Sequence, residues 1–204
     1  MRDERSYKTL REIGIENKNV KVTADPALDL DIADEKLGKA ILKNEGVPSD
    51  KKLLGVSVRK WQNLGSDFET QIANACDYAY EKYGYYTVFL PMQSSRDTAI
   101  MQNIKRKMKH ESAIIKKRYS VEGMLSIIKC FDMCIGMRLH TLIYAAINSV
   151  PLIGLVYDPK INSFMEYTHQ RHYVDVNEVT AVSYTRLRAH ETTLHLVCRL
   201  LLEK

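Results

Sequence analysis

The 204-residue chain reads as an α/β protein on a doubly wound parallel sheet, an expectation carried by three features of the sequence. From Lys52 onward, strand-length apolar runs alternate with amphipathic helical segments in units of roughly 20 to 35 residues, the spacing of strand–helix–strand crossovers. Residues 53–58 form an apolar run of strand length, as expected of a strand covered on both faces. Start and stop residues punctuate the helices, most clearly Asp158-Pro159 as a start and Gly84 as a stop.

Taken in order, residues 3–13 place Tyr7, Leu10 and Ile13 at helical spacing and close at Gly14, a residue suited to the left-handed terminal position. A short strand is expected at 20–24. Asp25-Pro26 then turns the chain, because the residue before proline is pushed out of the helical region. A helix at 34–45 ends at Gly46-Val47-Pro48, and the polar stretch 49–52 is the best linker, so a domain boundary is placed there. After the strand at 53–58, Ser66-Asp67-Phe68-Glu69 has the pattern of a capping box. It opens a helix with Phe68, Ile72, Ala75, Ala79 and Tyr83 on one stripe. Residues 86–90 are a strand, 97–107 a helix with Asp97 as its N-cap, and 112–115 a short strand. Ser120 caps a helix whose buried side is Val121, Met124, Leu125, Ile128 and Phe131. A strand at 132–135, a helix at 138–148, a strand at 151–156 and a helix from Asp158-Pro159 to 167 complete the pattern.

With 45% apolar and 27% charged residues, 9 Gly and 5 Pro, the composition excludes disordered and collagen-like chains. The net charge of +5 comes from scattered Lys and Arg, which favours a small anionic ligand over nucleic acid. No window approaches the roughly 18 to 20 apolar residues that span a bilayer, and the N-terminus has no apolar signal region, so a cytoplasmic location is expected. Cys76, Cys130, Cys134 and Cys198 are irregularly spaced, as reduced thiols are, and no metal site is expected.

Ligands of such sheets bind beyond the carboxyl ends of the strands, which singles out three strand-to-helix turns. Arg59 and Trp61 emerge where the first strand of the series ends, and Arg59 could grip a carboxylate or phosphate through its planar fork. In Ile135-Gly136-Met137-Arg138-Leu139-His140, Gly136 permits a tight turn, while Arg138 and His140 lie at a helix start, off the core-facing side. A cation there conflicts with the positive end of the helix dipole, a conflict that a bound anion would relieve. Lys160 occupies the second position of the helix after Asp158-Pro159. A fourth turn, after Leu90, offers Gln93 and Asp97. Arg138, His140 and Lys160 are expected to face one crevice suited to a multiply charged small anion with a protonatable centre.

These motifs resemble those of the polysaccharide pyruvyl transferase family, in its bacterial cell-wall branch. The resembling elements are Val22-Thr23-Ala24-Asp25-Pro26-Ala27, Gly55-Val56-Ser57-Val58-Arg59, Leu90-Pro91-Met92-Gln93, Gly136-Met137-Arg138-Leu139-His140, Pro151-Leu152-Ile153-Gly154 and Tyr157-Asp158-Pro159-Lys160. The resemblance implies a fold of the glycosyltransferase-B type, with a C-terminal Rossmann-like domain holding phosphoenolpyruvate and an N-terminal domain holding a sugar acceptor. It implies transfer of the pyruvyl unit onto two sugar hydroxyls as a ketal, with release of phosphate and without a cofactor. The implied acceptor is an N-acetylmannosamine-containing, lipid-linked cell-wall precursor, so the full protein could dock on a membrane. By motif, His140 and Lys160 match catalytic and donor-binding positions, with Arg138 beside them. His140 suits protonation of the enol ether carbon, being an acid with a pKa near neutrality. Arg138, Lys160 and, on position alone, Arg59 would neutralise the carboxylate and phosphate.

Residues 1–48 are thus expected to be a remnant of the acceptor domain, 49–180 the donor domain and 181–204 a tail foreign to the family. The chain by itself is expected to be an inactive fragment. Two other readings remain: a nucleotide-sugar glycosyltransferase or epimerase of the same fold, and a non-catalytic anion-binding half-domain. The first would need a Glu closing on a ribose, for which the sequence offers no good candidate.

Overall fold

The structure, a computed structural model, describes residues 4–31, 33–62 and 64–179. In chain order these form α1 (Glu4–Glu12), a 3-10 turn (Pro26–Asp29), α2 (Glu35–Asn44), β1 (Lys52–Ser57), α3 (Phe68–Tyr83), β2 (Tyr85–Phe89) and α4 (Ser94–Lys107). There follow β3 (Ser112–Ile114), α5 (Val121–Lys129), β4 (Met133–Gly136), α6 (Leu139–Ile147), β5 (Leu152–Val156), α7 (Pro159–Tyr167) and β6 (Tyr173–Asp175). The strands make one parallel sheet in the order β3-β2-β1-β4-β5-β6. Chain direction across the sheet reverses between β1 and β4, where Val56 pairs with Ile135 and Ser57 with Gly136. At that reversal the following helices leave on opposite sides, and a crevice opens between them.

Both faces of the sheet are covered, which is why its central strands are mainly apolar. Leu54, Val56, Phe89 and Ile135 pack with Phe68 and Ile72 of α3 and Met101 and Ile104 of α4. Leu53, Val88, Cys134 and Leu152 pack on the other face with α5, α6 and α7, through residues such as Leu125, Leu142 and Met165. Burying each of these large side chains is worth roughly 1.5–3 kcal/mol. Small residues in the central strands let the second layer approach closely. A Cβ at Gly55 would stand 2.1 Å from the Phe131 ring, and one at Gly136 would stand 2.6 Å from Leu142 Cδ2.

The expected alternation is present, and the differences from expectation are local. Residues 20–24 form no strand, since no neighbouring strand pairs with them and Val22 is exposed. The helix expected at 97 begins at Ser94, so Asp97 is not an N-cap but lies a turn inside α4. Ser66 does not cap α3. Asp67 precedes the helix in a helical conformation, with no side-chain capping bond. Val121, 51% exposed, points away from the core because it opens α5 directly after the Ser120 cap. The edge strand β6 is three residues long, too short to leave a pattern. Other signals hold: Gly84 takes the left-handed conformation (φ 73°) closing α3, the Ser120 Oγ accepts the Gly123 N–H, and the Asp158 carboxylate accepts the Lys160 N–H at 2.9 Å.

Around the linker at 49–52, α2 packs along α5. A Cβ at Gly38 would sit 1.9 Å from the Ser126 carbonyl oxygen. Ile41, Leu42 and Val47, which precede the linker, share one core with Leu53 and Leu125. The tail assigned to 181–204, with Cys198, lies outside the described residues. Among the described residues no helix is long and apolar enough to cross a membrane.

Candidate functional site

The carboxyl ends of β2, β1, β4 and β5 bring the strand-end residues to one edge of the sheet, where they form two groups and border a cleft. The first group bridges β2 and β4 across β1. Asp97, fully buried, accepts the Gln93 N–H at 2.9 Å and the Arg138 Nε–H at 3.2 Å, and Arg138 Nη2 donates to its other oxygen. Arg138 Nη2 also donates to Gln93 Oε1 at 3.4 Å. Two parallel bonds along the Nε/Nη2 edge make a fork pairing, the strongest geometry open to a guanidinium and a carboxylate. The Nη1 edge is left over. Arg138 itself is the N-cap of α6 in an extended conformation, which turns its side chain back toward β2.

This corrects two expectations. Arg138 is largely covered, its side chain being 16% exposed, and the anion that answers its charge at the helix start is the Asp97 carboxylate. Asp97 is thus the anchor of a site residue, a role its place in the sequence does not disclose. The two lie 41 positions apart, and only the strand order makes them neighbours.

The second group joins β1 to β5 through Tyr157. Arg59 Nη1 donates to the Tyr157 hydroxyl at 3.3 Å, and its guanidinium carbon lies 5.5 Å from the Tyr157 ring centre and 5.3 Å from that of Trp61. The two rings meet edge to face at 4.7 Å. Lys160 Nζ lies 5.5 Å from the same Tyr157 ring and 3.4 Å from Asp158 Oδ2. Two cations therefore rest on one phenol ring, whose face is electron-rich. Arg59 Nε is buried without a hydrogen-bond partner. Among the described residues no carboxylate is paired with Arg59, in contrast to Arg138 and Lys160.

His140, the second residue of α6, is exposed, and its ring meets Tyr144 at 6.0 Å, edge on. Tyr144 is buried, and burial followed by the nearby charge of Asp25 pushes its hydroxyl pKa up. Beside this turn, a shallow, solvent-open cleft runs between the 3-10 turn, α6 and α7. Asp25, Leu139, Ile143, Lys160, Phe164 and Tyr167 are among its walls. The structure thus links Arg59 to Lys160 through Tyr157, and places Leu139, between Arg138 and His140, on a cleft with Lys160. Arg138, His140 and Lys160 make no direct contact with one another. Among the described residues, no cluster of three or more His, Cys, Asp or Glu side chains could hold a metal ion. Cys76 and Cys134 are buried thiols with pKa pushed up to about 12 by burial, so they are unsuited to nucleophilic chemistry.

The sequence model of the polysaccharide pyruvyl transferase family matches residues 1–159. No curated protein matches the chain. Among solved structures, Staphylococcus aureus MnaA, solved with UDP, superposes with a TM-score of 0.70 at 14% identity, covering 96% of this chain and 53% of that one. Methanocaldococcus jannaschii UDP-GlcNAc 2-epimerase gives 0.59 at 15% identity, over 91% and 52%. A family 9 glycosyl transferase from Veillonella parvula gives 0.54 at 13% identity, over 93% and 58%. At these identities the likeness is one of fold, that of glycosyltransferase-B enzymes and epimerases. The chain spans a little over half the length of each.

Proposed function

Since the chain belongs to the polysaccharide pyruvyl transferase family, we propose that its strand-end crevice binds phosphoenolpyruvate and serves transfer of the pyruvyl unit to a sugar as a ketal. The observation that carries this reading is the gathering of Arg59, Arg138 and Lys160 at adjoining strand ends, with His140 on the same edge of the sheet. Phosphoenolpyruvate carries a carboxylate and a phosphate, so it needs cations at separate points and a proton source for its methylene carbon.

In the proposed reaction His140 protonates that carbon, and the first sugar hydroxyl adds to the neighbouring carbon, forming a C–O bond. The hydroxyl proton restores His140. Loss of phosphate leaves an oxocarbenium centre, which the second hydroxyl closes, its proton leaving with the phosphate. The products are the pyruvate ketal and hydrogen phosphate, and every proton is accounted for. Arg138, locked by Asp97, offers its remaining edge to the carboxylate, while Arg59 and Lys160 take the phosphate charge. Gly136 keeps the turn between β4 and α6 free of a side chain.

Residues 49–180 act as the donor domain in this reading, and residues 1–48 belong with the acceptor half. The whole protein works in the cytoplasm on a lipid-linked, N-acetylmannosamine-containing acceptor and requires no cofactor. The test is phosphate release from phosphoenolpyruvate, with acceptor present, by an enzyme containing both halves. His140→Ala and Lys160→Ala each abolish it. Near-normal rates in both variants overturn the proposal.

A further inference from the structure

We infer that the Gln93 side-chain amide is a second hydrogen-bond donor to the carboxylate of phosphoenolpyruvate, completing with Arg138 Nη1 a clamp that decides which end of the molecule lies between β2 and β4. The inference rests on the pyruvyl-transfer reading and adds to it a residue that orients the donor. Three observations carry it.

The first is the use of the guanidinium hydrogens. A guanidinium carries one hydrogen on Nε and a pair on each terminal nitrogen. Arg138 Nε donates to Asp97 Oδ2 at 3.2 Å, while Nη2 donates both to Asp97 Oδ1 and, at 3.4 Å, to Gln93 Oε1. Every hydrogen on Nε and Nη2 thus has a partner, and those on Nη1 remain. A carboxylate meets a guanidinium best through two parallel bonds from two adjacent nitrogens. Arg138 has only Nη1 to give, so a carboxylate bound there takes its other bond from a neighbouring group.

The second is the way the Gln93 amide is turned. A guanidinium can only donate, so the amide atom facing Arg138 is the oxygen, and the NH₂ group is left for another acceptor. Among the described residues nothing accepts from it, and Gln93 is exposed. Its backbone is pinned: the N–H donates to Asp97 Oδ2 at 2.9 Å, and the carbonyl accepts the Arg96 and Asp97 N–H groups, both at 2.9 Å. Gln93 is the N-cap of α4, yet its side chain makes no capping bond and reaches toward β4 instead.

The third is the charge at the two ends of the crevice. The buried Asp97 answers Arg138, so the end between β2 and β4 carries little net charge. At the other end Arg59 lies against the Trp61 and Tyr157 rings, with Lys160 on the same phenol. A phosphate, with its greater charge and three acceptor oxygens, is drawn to the cations of the second end. A planar carboxylate is matched by two donors side by side, one of them neutral. Gln93 therefore sets the carboxylate at the first end and the phosphate at the second.

The experiment uses the 204-residue chain, isotopically labelled at its Gln amide and Trp indole nitrogens and followed by NMR during separate titrations with phosphoenolpyruvate and inorganic phosphate. Trp61, the single Trp of the chain, reports the Arg59 end, and the Gln93 NH₂ signal is identified by its loss in Gln93→Ala. Phosphoenolpyruvate is expected to move both signals and inorganic phosphate only that of Trp61. Gln93→Ala, at an exposed position, is expected to weaken phosphoenolpyruvate about tenfold, the worth of one hydrogen bond to a charged group, and to leave inorganic phosphate unchanged. Gln93→Glu sets a negative charge where the NH₂ group stood and is expected to weaken phosphoenolpyruvate further. Phosphoenolpyruvate that moves Trp61 but not the Gln93 amide overturns the inference and leaves the donor reading standing, as does a Gln93→Ala protein with unchanged phosphoenolpyruvate affinity. Equal loss of both ligands in that variant also overturns it, because the amide then supports the crevice as a whole. Phosphoenolpyruvate that moves neither signal overturns the donor reading together with the inference.

Discussion

Arg138 and Arg59 reach the same edge of the sheet from neighbouring strands, and they are held in opposite ways. Arg138 is covered and forked onto a buried carboxylate that is itself fastened by a backbone N–H. Arg59 lies across two aromatic rings, and among the described residues its guanidinium has the Tyr157 hydroxyl as hydrogen-bond partner and no carboxylate. The first arrangement fixes direction, because a bidentate pair holds the guanidinium plane, and it spends the charge locally. The second leaves the charge unspent, because a ring face attracts a cation without neutralising it. A site that must orient one end of a dianion and stabilise charge on the other has use for both.

The largest expected effect breaks the first arrangement. Asp97→Asn leaves Arg138 facing a neutral amide, and breaking a buried pair from one side costs about 3–5 kcal/mol. Since Arg138 keeps some contact with water, the urea unfolding curve should show a loss near the lower end, about 3 kcal/mol. Adding Arg138→Gln should recover part of that loss, and the non-additivity measures the coupling. A cost below about 0.5 kcal/mol for Asp97→Asn, the level of an ordinary surface change, would mean the fork does not hold the arginine.

Next comes Tyr157→Ala, which removes the ring shared by Arg59 and Lys160 and the edge contact to Trp61. About 2 kcal/mol is expected, from two cation–ring contacts and one aromatic pair, with weaker phosphoenolpyruvate binding by calorimetry. Tyr157→Phe sharpens the comparison, because it keeps the ring and removes only the 3.3 Å bond from Arg59. It should cost about 0.5 kcal/mol, and a loss equal to that of the alanine variant would show that the hydroxyl holds Arg59. The smallest effect belongs to Asp158→Asn, which keeps the α7 cap and removes the half-exposed pair with Lys160. A change under about 0.5 kcal/mol is expected, fading as salt rises from 0.1 to 1 M, whereas the Asp97 effect persists.

The readability of these regions from the sequence differs for the same reason. The strand-to-helix turns carrying Arg59, Arg138, His140 and Lys160 are marked by local signals: an apolar run ending, a small residue, a cap. The fork on Arg138 has no such mark, because Asp97 resembles a helix start and becomes a partner only once β2 and β4 stand on either side of β1. The cleft is less legible still. Asp25 reads as a turn former, Leu139 and Ile143 as a helix stripe, and Phe164 and Tyr167 as part of another helix, yet all border one volume.

Unaided, the sequence determined the order of strands and helices along most of the chain and the parallel sheet. These follow from the period of apolar residues and from capping chemistry, which act over a few positions. The tertiary structure decided which charges are answered and which are left open, and which side chains enclose a volume. Those depend on the order of strands in the sheet, where residues more than forty positions apart come within 4 Å and burial turns a weak surface attraction into a fixed pair.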